Sequence, residues 1–232
     1  MHAAPQTFTS GSHRTHLLEL FSSEGCSSCP PAEAAVGGLR DAPGLWRDFV
    51  PVSWHVTYWD KLGWRDRFAS RVYTERQYRY ASDWGSGNVY TPCFVFDGQD
   101  AGARLGAEMS RVTAESAGIL AATLRDDGKV EVSFTSAAAR DCVVTVAVLG
   151  GGIVSPVRAG ENGGRTLRHE FVVLGATEAP LREGRATVPL AKVDASGVTR
   201  RALAVWVAPR GAQTPLQATG GWLAEAGASA AQ

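Results

Sequence analysis

Apolar and polar residues in the first half of the chain alternate between a strand pattern and a helix pattern. Residues 16–21 form an apolar run of strand length, and residues 49–59 are rich in β-branched and aromatic side chains, which predicts a second strand. Between them, the prolines and small residues at 30–36 favour the first turns of a helix. Residues 67–81 carry apolar side chains at helical spacing. This order of strands and helices indicates a parallel sheet.

A third strand and a third helix are predicted next. Residues 89–96 have the composition of a strand but contain Pro92, and an internal proline is confined to an edge, a bulge or a special turn. The tight-turn pair Asp97-Gly98 follows this strand. The segment after the turn predicts a helix with an apolar face. The residues of that face are Leu105, Met109, Val112, Ile119, Leu120 and Leu124.

From Gly128 onward, the apolar positions have the period of strands. Alternation of this kind occurs at 130–134, 144–148 and 203–207, and no helical pattern intervenes. Several short strands in succession predict a small antiparallel sheet or sandwich. The predicted organisation is a flexible N-terminus at 1–15, an α/β domain at 16–126, a β-rich C-terminal domain at 127–223 and a flexible tail at 224–232.

Composition and charge limit the classes of partner. The chain has 23 basic and 23 acidic residues and no long run of Lys and Arg, so we do not expect it to bind nucleic acid. No window approaches 18 unbroken apolar residues, so no membrane span is expected. The first residues lack the apolar stretch of a secretory signal, which favours a cytoplasmic location, with a periplasmic or secreted mature form as the alternative. No pattern indicates the oligomeric state.

The segment GCSSCPP at residues 25–31 carries the main candidate chemistry. The chain has only four cysteines, which is too few for a disulfide scaffold. Cys26 and Cys29 are spaced to lie on one face of the predicted first helical turn, close to disulfide distance. The helix N-terminus favours thiolate over thiol. Cys26, nearer the terminus and more exposed, is the expected nucleophile, and Cys29 is the expected resolving cysteine.

The dipeptide Thr91-Pro92 adds to this site. An X-Pro bond adopts the cis form at modest cost, and a cis proline at the start of a strand is expected to pack beside the cysteine pair. The backbone of Thr91 would then stay free to pair with an extended substrate. The catalytic residues predicted from the sequence are Cys26, Cys29, Thr91 and Pro92.

Cys93 has two interpretations that the sequence leaves open. It either joins the cysteine pair or, through strand alternation, turns into the core as a small apolar side chain. In the first case, three thiolates and an imidazole are suited to hold copper(I) or zinc. These candidate ligands are Cys26, Cys29, Cys93 and His55. A proton relay and a hydrogen-bonded structural histidine are the other roles open to His55.

Two further segments carry candidate contacts. Arg76, in the second predicted helix, is a candidate to anchor Asp60 or Glu24. The stretch GENGGRTLRHE contains Asn162 and His169, and its glycines are typical of a turn that another backbone approaches closely. We expect this stretch to dock against the first domain rather than to form a second active site.

Longer motifs resemble a known family. The run LLELFSSEGCSSCPPAE is similar to the signature of an uncharacterised bacterial family with a thioredoxin-like fold, known as a domain of unknown function. The pieces WHVTYWDKLGWRDRFAS, YTERQYRYA, VYTPCFVFDG and GENGGRTLRHEF resemble the same family, so the likeness covers residues 17–171. It implies a thioredoxin-like βαβαββα domain, with Cys26 and Cys29 at the redox position and Pro92 at the cis-proline position. It implies no substrate.

Three functions remain open from the sequence. The first is a thiol–disulfide oxidoreductase without a cofactor, in which Cys26 attacks a disulfide of a protein or small molecule, Cys29 releases the product and a separate redox partner resets the pair. The second is a copper(I)- or zinc-binding or metal-delivery protein that uses the four candidate ligands. The third is a non-enzymatic binding module with a structural disulfide.

Overall fold

The structure is a computed structural model that describes residues 4–102, 105–109 and 115–224. The helices are α1 (Pro30–Gly38), α2 (Arg71–Asp83) and α3 (Leu105–Met109), with 3-10 turns at Leu39–Asp41 and Thr57–Leu62. The strands are β1 (Gln6–Thr9), β2 (His16–Ser22), β3 (Phe49–His55), β4 (Cys93–Phe96), β5 (Gln99–Asp100), β6 (Ile119–Leu124), β7 (Lys129–Thr135), β8 (Cys142–Gly151), β9 (Ile153–Pro156), β10 (Thr166–His169), β11 (Val172–Leu181), β12 (Arg185–Pro189), β13 (Arg200–Pro209) and β14 (Gln217–Trp222).

The largest sheet has eight strands in the order β14-β13-β8-β11-β3-β2-β4-β5. Strand β2 lies parallel to β3 along its whole length, and β4 is antiparallel to β2. Strand β11 meets β3 in parallel at a single pair, Val172 opposite Ser53. This pair joins the first half of the chain to the second, so that one sheet runs through both.

The prediction of a thioredoxin-like βαβαββα domain followed by a smaller β-rich part is wrong. Strands β11, β8, β13 and β14 extend the sheet that contains β2 and β3, and strands far outnumber helices among the described residues. The predicted third helix is also mostly wrong, because only Leu105–Met109 is helical and Ile119–Leu124 is strand β6, while Val112 lies outside the described residues. Alternation of apolar residues identifies a strand but not its neighbour in a sheet, which is why the continuous sheet was not predicted.

A second sheet, in the order β1-β6-β7-β12, packs on the C-terminal part of the first. Apolar residues of β6 and β7, such as Leu120 and Val132, share one core cluster with Val146 of β8 and Val205 of β13. All pairs in this sheet are antiparallel. Strand β1 comes from the segment expected to be flexible, and it pairs with β6. The domain boundaries stay a prediction.

A buried ion pair fixes α2 on the large sheet. The Arg76 Nε lies 2.6 Å from a carboxylate oxygen of Glu19 on β2, and both side chains are buried. The Tyr80 hydroxyl donates to the same carboxylate, and the indole of Trp54 donates to it at 2.9 Å. The Arg76 guanidinium also lies 5.4 Å from the ring centre of Trp206 on β13. Arg76 therefore anchors Glu19, not Asp60 or Glu24.

Within the described ranges, no helix has the length and apolar character to cross a membrane.

Removing the charge of Glu19 should destabilise the fold strongly. Glu19→Gln leaves the guanidinium of Arg76 buried without its counter-ion, which typically costs about 3–5 kcal/mol. Urea unfolding monitored by tryptophan fluorescence measures this loss. Arg47→Ala is the matched control, because it breaks the solvent-exposed pair with Asp48 and should change the free energy of unfolding little. Equal effects of the two substitutions would contradict the assignment.

Candidate functional site

Cys26 and Cys29 form a disulfide at the start of α1, with their Cα atoms 5.4 Å apart. Cys29 is the N-cap residue of α1, and prolines occupy the first helical positions, where a missing N–H is tolerated. The turn itself exposes Ser27 and Ser28. Both cysteines, however, have 0% of their surface exposed. The expected exposure of Cys26 is therefore not found in this conformation.

A loop from the C-terminal half covers the cysteine turn. We call residues 157–165, which join β9 to β10, the capping loop. The buried Asn162 donates from Nδ2 to the carbonyl oxygens of Glu24 and Cys26, each at 2.9 Å. The Glu161 carboxylate accepts from the backbone N–H of Ser27 at 3.1 Å and from its hydroxyl at 2.6 Å. The GENGG stretch thus docks on the cysteine turn, as its glycines indicated.

The Thr91-Pro92 segment lies on another side of the turn. Its peptide bond is cis, and both residues are partly exposed. The Ser28 hydroxyl lies 3.5 Å from the carbonyl oxygen of Thr91, and the indole of Trp59 donates to the Thr91 hydroxyl at 2.8 Å. A Cβ atom at Gly25 would lie only 3.0 Å from the Cβ of Trp59, which explains the glycine before the first cysteine. The structure therefore brings Thr91 and Pro92 to the cysteine turn.

Cys93 is a free cysteine in the apolar core, with 1% of its surface exposed. Burial raises the pKa of its thiol to about 12. Such a thiol stays protonated at neutral pH, whereas a metal ligand must be a thiolate. The other two thiols of the predicted set are joined in the disulfide. A copper(I) or zinc site at Cys26, Cys29, Cys93 and His55 stays a prediction.

Five buried ionisable side chains lie next to the cysteine turn, and we call them the histidine–carboxylate cluster. The Nδ1 atom of His55 lies 2.6 Å from a carboxylate oxygen of Asp66. The Nδ1 atom of His169 contacts Glu33, and its Nε2 atom lies 3.2 Å from a carboxylate oxygen of Glu24. No member exposes more than 7% of its surface. The cluster is thus a set of charges removed from water beside a disulfide.

Each member comes from a different element. Glu24 precedes the cysteine pair, Glu33 lies in the first turns of α1, and His55 ends β3. Asp66 sits in the loop before α2 and accepts from the backbone N–H of Glu24 at 2.8 Å. His169 ends β10, the strand that follows the capping loop. The sequence analysis singled out His55 and His169 as candidate residues, but it did not indicate that they lie next to each other. It gave no signal for Asp66, and Glu33 resembled an ordinary solvent-facing helix residue.

Attraction between the histidines and the carboxylates shifts the pKa values of the cluster. Burial alone would lower the pKa of His169, but the carboxylates of Glu33 and Glu24 raise it to about 10. Burial alone would also lower the pKa of His55, and Asp66 raises it instead. Burial opposes ionisation of Glu33 as well, but the charge and hydrogen bond of His169 hold its pKa below the usual value. At neutral pH His169 is therefore an imidazolium between two carboxylates, and the carboxylate of Asp66 favours the charged form of His55.

Solved structures of similar fold come from two bacteria. Protein AGR_C_4864 from Agrobacterium tumefaciens is 26% identical, with 90% of this chain and 95% of that chain covered and a TM-score of 0.66. HBP35 of Porphyromonas gingivalis is 11% identical, with 92% and 76% covered and a TM-score of 0.58, so its likeness concerns the fold alone. No curated protein matches the chain.

These comparisons do not support the description of the chain as a thioredoxin-like oxidoreductase, and the β-rich fold with few helices contradicts it. The family expected from the sequence motifs, in contrast, is confirmed. The family model described as "Protein of unknown function (DUF1223)" matches residues 17–208, and the chain belongs to this family.

Proposed function

We propose that the protein carries out thiol–disulfide exchange at Cys26 and Cys29, in a site that opens when the capping loop moves. The observation that carries this proposal is the histidine–carboxylate cluster beside the disulfide. A purely structural disulfide requires no buried acid and base groups next to it. Exchange gains from them, because a nearby imidazolium favours the thiolate that attacks a disulfide.

The reaction balances without a cofactor. In the reduced protein, the Cys26 thiolate attacks one sulfur of a substrate disulfide, forms a mixed disulfide and releases the first substrate thiolate. The Cys29 thiol gives its proton to the departing substrate thiolate, which is the stronger base, and the Cys29 thiolate then attacks the sulfur of Cys26. This step forms the Cys26–Cys29 disulfide and releases the second substrate thiolate. The substrate gains two electrons, and a separate dithiol reductant returns the pair to the reduced state.

Access to sulfur requires a conformational change. Attack on a disulfide proceeds along the axis of the bond, and neither cysteine has exposed surface in the closed conformation. The contacts of Glu161 with Ser27 are exposed and therefore weak, whereas those of Asn162 are buried. The capping loop is thus attached to the cysteine turn by two exposed and two buried hydrogen bonds. In the proposal, substrate replaces these contacts.

The Thr91-Pro92 segment supplies the proposed docking edge. Thr91 lies beside the exposed Ser28 at the tip of the cysteine turn and is itself partly exposed. An extended peptide that pairs with the Thr91 backbone would run past this tip. The proposed substrates are therefore protein or peptide disulfides rather than small-molecule disulfides.

The complete burial of Cys26 and Cys29 favours a second candidate, a non-enzymatic binding module in which the disulfide only holds the start of α1. In this candidate, the disulfide resists reduction in the folded protein. The two candidates differ in one property, which is whether the folded protein exchanges the bond with an external thiol.

Wild-type protein should catalyse reduction of insulin by dithiothreitol, and Cys26→Ser should abolish the turnover, because the attacking sulfur is lost. The precipitation of reduced insulin measures the rate. Cys142→Ala is the matched control, because Cys142 is a buried free cysteine in the β-rich half and should not contribute. Turnover that survives Cys26→Ser would contradict the proposal.

Glu161→Ala should speed reduction of the buried disulfide by dithiothreitol. The substitution removes the exposed contacts that hold the capping loop to Ser27, so the open state becomes more populated, roughly two- to fivefold. Alkylation of the released thiols, followed by mass spectrometry over time, measures the rate. Glu131→Ala removes an exposed glutamate on β7 and should leave the rate unchanged. Equal rates for the two variants would show that the loop does not control access.

A further inference from the structure

We propose that the histidine–carboxylate cluster is a zinc site in which His55, His169 and Glu33 are the ligands. One ligand atom of each of these residues lies within 4.8 Å of the corresponding atoms of the other two. Two atoms bound to zinc at about 2.0–2.1 Å in a tetrahedral site lie about 3.4 Å apart. Movements of less than about 1 Å would therefore bring the three side chains onto one ion.

An unpartnered nitrogen points to a missing ligand at this place. Nε2 of His55 has no hydrogen-bond partner among the described residues, although the side chain has 0% of its surface exposed. A buried polar atom without a partner is costly, and native structures rarely leave one without a reason. A metal ion would take the place of the proton on this nitrogen and accept its lone pair.

The outer contacts of both histidines have the arrangement found at metal centres. A ligating histidine usually gives its second nitrogen to a carboxylate, which fixes the tautomer and the orientation of the ring. Asp66 holds Nδ1 of His55 at 2.6 Å and leaves Nε2 for the ion. The Glu24 carboxylate lies 3.2 Å from Nε2 of His169, and Nδ1 of His169 contacts Glu33, so the ion would replace this contact between two of its ligands. Each imidazole therefore has its own orienting carboxylate.

The donor set and its charge select the kind of ion. Two imidazoles and one carboxylate suit zinc, which is commonly bound by His and Glu. Three carboxylates around two histidines also supply the negative charge that a divalent cation requires in a dry environment. The sulfur atoms of the cysteines take no part, so this site differs from the cysteine-based set predicted from the sequence. The inference does not depend on thiol–disulfide exchange.

Such an ion would join elements from the two halves of the chain. His55 ends β3, Glu33 belongs to α1, and His169 ends β10, the strand that follows the capping loop. Zinc bound to all three would tie the helix that carries the cysteines to the hairpin that covers them. We therefore expect zinc to stabilise the closed conformation.

Zinc titration of the full chain, first treated with a chelator, tests the inference. Native mass spectrometry should show one zinc ion per chain. Zinc at about 100 times its dissociation constant should raise the melting temperature by roughly 5–10 °C. X-ray absorption at the zinc edge should show nitrogen and oxygen at about 2.0–2.1 Å and no sulfur at about 2.3 Å. This last result concerns the wild type, so it stands even if a variant does not fold.

Variants separate the two possible metal sites. His169→Gln should abolish binding of zinc, and Asp66→Asn should weaken it by about 10- to 100-fold, because it loosens the orientation of His55. The double variant Cys26→Ser/Cys29→Ser should bind zinc as the wild type does. Three results would each overturn the inference. The first is that folded wild-type protein binds no zinc at millimolar zinc. The others are sulfur ligands in the absorption spectrum and loss of zinc binding in the double cysteine variant.

Discussion

The burial of five ionisable side chains beside one disulfide is the constraint on which the rest of this structure depends. A carboxylate or imidazolium removed from water is strongly destabilising unless an opposite charge or a hydrogen bond compensates it. In the histidine–carboxylate cluster, His169 lies between Glu33 and Glu24, and His55 lies against Asp66. The elements that carry these residues therefore have to stay together for any of the charges to be tolerated.

The large sheet supplies that arrangement. Strand β11 meets β3 at Val172 and Ser53, which places the end of β10 and the end of β3 near each other. His169 and His55 come from these two ends, and their ring centres are 5.3 Å apart. The same connection carries the capping loop over the cysteine turn. The junction between β11 and β3 thus lies next to the place where the two histidines meet.

The sequence predicted the local parts of this site well. The apolar run before GCSSCPP and the prolines after it indicated a strand followed by a helix, and β2 and α1 have that order. The glycines of GENGG indicated a segment approached by another backbone, and Asn162 makes that contact with Glu24 and Cys26. These signals were readable because turns and helix starts depend on a few neighbouring residues.

The parts that the sequence did not predict depend on pairing between distant segments. The patterns showed strands in both halves but not that β11 joins β3, so the two halves were expected to form separate sheets. Glu33 and Asp66 had no distinguishing neighbours, because a carboxylate becomes a buried partner only when a histidine from another segment reaches it. Cys26 was expected to be exposed for the same reason, since the loop that covers it is more than 130 residues away along the chain.

The reduction potential of the Cys26–Cys29 pair, measured by equilibration with glutathione or dithiothreitol, tests the central claim most directly. A pair that exchanges with substrate disulfides should have a potential between roughly −120 and −270 mV, as exchange-active proteins do. A value below roughly −300 mV, in the range of structural disulfides, would contradict thiol–disulfide exchange at this pair and identify the bond as a structural disulfide.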